Sequence, residues 1–90
     1  MRNVDNEMRS LAKTIRWNLY LLLGSKNMTI VELSKKSGVS ETTISRIKND
    51  RSGSQTPKSE TVVRLAAALD VDPQVLFSQQ SNELLMQEAK

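Results

Sequence analysis

The groups in this sequence that could act on a substrate are chiefly its carboxylates. The chain has no Cys and no His, which removes disulfides, thiolate nucleophiles, imidazole bases and almost every zinc site. Glu32, Glu41, Asp50 and Glu60 each stand among cationic or capping neighbours, and no pair of them falls in a motif that proposes acid–base work. They read as solvated surface charge. Catalysis is therefore not expected, and neither a metal nor a cofactor is expected.

What remains is binding by charge and hydrogen bonding. The net charge is +3, and its distribution is more informative than its total. Residues 1–28 carry five basic and two acidic side chains, residues 29–58 six and three, and residues 59–90 two and five. A polyanion would find the first two thirds attractive and the last third repulsive. The stretch SKKSGVSETTISRIKND, residues 34–50, lies in the attractive part. It sets Gly38 between two short helical patterns, with Arg46 and Lys48 toward its far end.

The elements that must position these residues follow from hydrophobic spacing. Met8, Leu11, Ile15, Leu19 and Leu22 recur at the period of one helix face, which predicts a first helix over residues 6–24. Asp5 or Asn6 can cap its start and Gly24-Ser25 can stop it. Thr29 followed three residues later by Glu32 has the spacing of a capping box, so a second helix is expected from Ile30 to Ser37. Gly38 can end it in the left-handed conformation. Ser40 can cap a third helix with Ile44 and Ile47 inward and Glu41, Thr42, Ser45, Arg46 and Lys48 outward.

Residues 49–58, NDRSGSQTPK, read as a loop. Ser59 can cap a fourth helix that turns Val62, Leu65, Ala66 and Leu69 inward. Asp72 before Pro73 starts a short fifth helix ending near Phe77. Residues 78–90 form a C-terminal extension, with NELLMQEAK able to make an amphipathic tail helix.

Ninety residues with 3% aromatics fit one small domain built on Leu, Ile, Val and Ala, which favours an all-α fold. The polar opening MRNVDNEMRS lacks the apolar region of a signal peptide. The longest apolar run, residues 19–23, is far short of the roughly 20 residues of a membrane span. A cytoplasmic location without membrane association is the expectation.

Two short helices joined by a tight glycine turn let the second project from the domain, and an α-helix fits the major groove of B-DNA. The pattern of Leu33, small Ser34, Gly38, Val39, Ile44 and Ile47 within residues 30–49 resembles the helix-turn-helix of the Cro/C1-type (XRE-like) repressors. Downstream, PKSET leading into RLAAALDVDPQVLF is similar to the family's fourth and fifth helices. The resemblance covers roughly residues 15–77. It implies a five-helix, lambda-repressor-like DNA-binding domain over residues 1–77.

It also implies roles for particular residues. The start of the third helix reads bases in that family, which transfers to Ser40, Glu41, Thr42, Ser45 and Arg46. Arg46 can donate two bonds to guanine O6 and N7. Thr29 and the first N–H groups of the second helix can meet a phosphate, and Lys35, Lys48, Asn49, Arg51, Ser54 and Lys58 can line the strand. The chain also departs from the family pattern. An Arg near the end of helix one and a Glu after the recognition helix are replaced by Leu23 and Lys48, and the Gln that often starts helices two and three by Ile30 and Glu41.

A homodimer on a palindromic operator is expected, since one recognition helix reads only a few base pairs. Two surfaces compete for its interface. One is residues 71–77, with Val71, Val75, Leu76 and Phe77; the other joins Trp17 and Leu21 to Leu84 and Leu85 of the tail. Because ninety residues leave no room for a separate effector domain, repression by operator occupancy is expected over activation. A bacterial or phage-encoded repressor, a restriction-modification controller and an antitoxin fit alike, and they differ in protein partner, such as an antirepressor or a toxin. The alternative from another class is a protein-interaction module on the same fold, favoured by Glu41 and by the surplus apolar residues of helix one.

Overall fold

The computed structural model describes residues 4–78, apart from the side chain of Asp5. Five helices, α1 (Val4–Ser25), α2 (Ile30–Ser37), α3 (Glu41–Asn49), α4 (Ser59–Ala68) and α5 (Pro73–Phe77), make up the regular structure, with no strand among the described residues. The fold is the all-α, five-helix one expected. The tail with Leu84 and Leu85 lies outside the described residues.

α1 packs against α3 and α5, α2 against α3 and α4, and α4 against α5. Between them Ile15, Leu19, Leu22, Leu33, Ile44, Val62, Leu65 and Leu76 are fully buried. Burying one such side chain contributes roughly 1.5–3 kcal/mol. The inward residues expected of α3 and α4 are all in this core or at its edge. Met8 is not, being 44% exposed. The buried stripe of α1 begins at Ala12, so the first two turns of the helix extend past the body that α3 and α5 cover. Leu23 is buried as well, and Leu76, expected at a dimer interface, is enclosed within its own chain.

The helix ends follow local chemistry. Thr29 and Glu32 form the capping box, worth about 1 kcal/mol for such a cap. Gly38 adopts φ 75° and donates its N–H to Ser34 O. Ser34 Oγ donates to Val39 O at 2.7 Å, and Ser37 Oγ accepts from Val39 N–H. Two serines thus hold the turn that sets α3 against α2.

Three termini differ from expectation. α1 begins at Val4, which puts Asp5 and Asn6 inside it. The helix also runs through Gly24, and its stop is Asn27 at φ 52°, with the Met28 N–H on Leu23 O and the Asn27 N–H on Gly24 O. This paired closure satisfies the last carbonyls, and asparagine tolerates the left-handed conformation. Asp70 at φ 59° closes α4 in the same way. Finally, the N-cap of α4 is Lys58, not Ser59, and no side chain caps it.

Candidate nucleic-acid interface

The outer face of α3 is presented by three supports. Behind it, Ile44 and Ile47 are seated in the core. At its start Ser40 Oγ accepts from Thr43 N–H and donates to Thr43 Oγ1. At its end Arg16 Nε donates to Lys48 O at 2.7 Å. A cation on a last-turn carbonyl satisfies an orphan acceptor and suits the negative end of the helix dipole. In the family pattern an Arg–Glu pair is expected near this point; here Leu23 is core, and Arg16 makes the tie from elsewhere on α1 to backbone.

Thr42, Ser45, Arg46 and Asn49 line a shallow hollow together with Ser54 and Gln55. Arg46 also borders a second hollow, with Lys58 and Thr56 on its far side. Arg46 is exposed and makes no hydrogen bond or ion pair with any described residue. Its guanidinium is free to meet an incoming group with two parallel donors. Glu41 is likewise exposed and without a partner among the described residues.

Some hydroxyls expected at the DNA are already engaged. The Thr29 side chain and N–H are both held by Glu32, whose carboxylate sits at the start of α2. The N–H groups of Ile30 and Val31, which have no acceptor within the helix, are the donors left for a phosphate there. Ser54 gives both its N–H and its hydroxyl to Asp50 Oδ1, so its donors serve the loop. Lys48 holds its ammonium 5.9 Å from the Tyr20 ring centroid, within cation–π range. Lys35, Asn49, Arg51 and Lys58 are exposed, with Asn49 lining the first hollow and Lys58 the second.

The loop after α3 is organised by Asp50, whose carboxylate also accepts from Ser52 Oγ and Gln55 N–H. The Gln55 amide bond, opposed by desolvation and joined by the bonds from Ser54 and Ser52, holds the Asp50 carboxyl below its ordinary range. Sequence reasoning took Asp50 as plain surface charge. Its signal was Asp followed by Ser-Gly-Ser, since an aspartate readily folds the backbone just beyond it onto itself. Arg16 and Gln55 were missed as well, and nothing in local periodicity marks either.

Of the residues expected at a subunit interface, Trp17 and Phe77 are exposed, whereas Leu21, Val71 and Val75 are half-buried against the core. Trp17 stacks on Tyr20 with centroids 5.9 Å apart and an interplanar angle of 17°. No helix among the described residues is long and apolar enough to cross a membrane.

Comparison with known proteins agrees with this architecture. The family model described as "Helix-turn-helix" matches residues 19–76, from the third turn of α1's buried stripe to α5. No curated protein and no solved structure matches the chain. With more than half of its length matched and the five helices in place, the chain belongs to the Cro/C1-type helix-turn-helix family of DNA-binding regulators.

Proposed function

We propose that the protein is a transcriptional repressor that binds a palindromic operator as a homodimer, laying α3 in the major groove of each half-site. The free guanidinium of Arg46, beside Thr42 and Ser45 on the outer face of α3, is the observation that supports this most. Arg46 contacts a guanine edge; Thr42 and Ser45 contact neighbouring bases, and Ser40 and Glu41 lie at the entry of the helix. Lys35, Lys48, Asn49, Arg51 and Lys58, together with the α2 N-terminus at Thr29, meet phosphates and set the register. Repression by occupancy needs nothing beyond this surface and a subunit contact. Its place of action is the bacterial cytoplasm, on DNA.

The subunit contact draws on apolar side chains: exposed Phe77 with half-buried Val71 and Val75 on one side, or exposed Trp17 with half-buried Leu21 on the other, joined by Leu84 and Leu85 of the tail. A protein-partner reading has two observations in its favour, the exposed Glu41 on α3 and the stacked, exposed Trp17–Tyr20 pair. Selection from a random-sequence duplex pool separates the two. Enrichment of an inverted repeat with half-sites about one helical turn apart is expected. Binding without any enriched sequence would transfer weight to the protein partner.

A further inference from the structure

α1 extends well ahead of the matched segment, which begins at residue 19. Helical spacing puts Arg9, Lys13, Arg16 and Tyr20 on one face of it, at i, i+4, i+7 and i+11. Contacts fix where that face points. The Arg9 backbone lies against Gly53, so close that a Cβ there would stand 2.5 Å from Arg9 O. Thr56 Oγ1 donates to Met8 O, Arg16 Nε donates to Lys48 O, and the Tyr20 ring lies beneath the Lys48 ammonium. The face therefore runs beside the end of α3 and along the loop that follows it.

Arg9 and Lys13 are exposed and make no hydrogen bond or ion pair with any described residue. Arg51, two residues from the Gly53 contact, is exposed too, with its side chain equally unpaired among the described residues. The acid beside them, Asp50, has its carboxylate turned to the loop's own hydroxyls and amides. Glu7 falls on the opposite side of α1 by the same helical count. Among the described side chains, the cations Arg9, Lys13 and Arg51 thus continue the edge of the recognition helix with one sign of charge. The aromatic rings at this edge are already engaged, Trp17 stacked on Tyr20 and Tyr20 meeting the Lys48 ammonium, so the exposed cations are what the face offers to an incoming strand.

We propose that Arg9 and Lys13, with Arg51, form a second track for the phosphates of duplex DNA, holding the backbone beyond the stretch covered by α3. The proposal rests on the DNA-binding reading above, and it places part of the footprint on a segment outside the family match. Such contacts add affinity and salt dependence without adding base preference.

The test is titration of the full chain against a duplex taken from the random-pool selection, over a series of salt concentrations, beside an R9A/K13A variant. The expected result is binding weaker by about tenfold near physiological salt and a log–log salt slope shallower by about 1.8, or about 0.9 per lost phosphate contact, with the base preference unchanged. An R9K/K13R variant keeps both charges and should restore the native slope. Equal slopes and affinities for native and R9A/K13A proteins would overturn the proposal while leaving the DNA-binding reading intact. Failure of R9K/K13R to restore binding would overturn it as well, assigning the two positions to support of the fold. A native protein that binds no duplex would overturn both.

Discussion

At the scale of single residues, free and engaged side chains of one type stand close together. Arg46 is free while Arg16, of the same type, is spent on the Lys48 carbonyl. Asn18 shows the supporting role most clearly: fully buried on α1, it directs Nδ2 at the carbonyls of Val75, Leu76 and Ser78, at 2.9–3.1 Å. An amide nitrogen has two hydrogens, so these three acceptors share them. They include the orphan carbonyls at the end of α5, a helix too short to be stable alone. Asn18→Ala should lower unfolding free energy by about 2–4 kcal/mol, from unsatisfied carbonyls plus a cavity, as read by urea denaturation. A loss below about 0.5 kcal/mol would show that α5 is held by Leu76 alone.

Asp50 supplies a residue-scale dependence on pH. Its folded pKa lies below its unfolded one, so its contribution to loop order is fully present above the ordinary aspartate value of about 3.9. That contribution is lost as pH falls through the lower folded value. The amide resonances of Ser54 and Gln55 should stay fixed from neutral pH down to about 4 and move below it. In Asp50→Asn they should show no such step, and a shift beginning near neutral pH in the native protein would contradict the assignment.

At the scale of elements, the α3–α4 loop is the part whose placement matters to both α1 and α3. Gly53 has φ 70° and no space for a side chain against Arg9. Gly53→Ala should cost about 1–3 kcal/mol, through backbone strain and displacement of the loop. A thermal melt checks this, and an unchanged melting temperature would mean that the loop is not docked on α1. The loop also shows where sequence reading stops. The helices were legible because apolar period and caps are local signals, and α2, the Gly38 turn, the Ser40 cap and α5 fall where those signals put them. By contrast, the path of the loop depends on contacts such as Gly53 with Arg9 and Thr56 with Met8, more than forty residues apart in sequence, which no local window contains. The exposure of Met8 and burial of Leu76 were hidden for the same reason, since each depends on where the neighbouring helix ends.

At the scale of the whole molecule, charge and shape converge on one side. The cations of α1, α3 and the loop belong to the two segments that each carry an excess of +3, while the segment with an excess of −3 begins at α4. A polyanion is thereby oriented before contact, and binding should weaken steeply with salt. The central claim, that α3 reads base edges through Arg46, is tested most directly by measuring native and Arg46→Ala affinities for the selected operator and for a set of its single-base-pair variants. Arg46→Ala is expected to lose about 1–3 kcal/mol on the selected site, to keep its fold, and no longer to distinguish the base pair at one G·C position in each half-site. An Arg46→Ala protein that binds with native affinity and keeps the native preference at every position would contradict it.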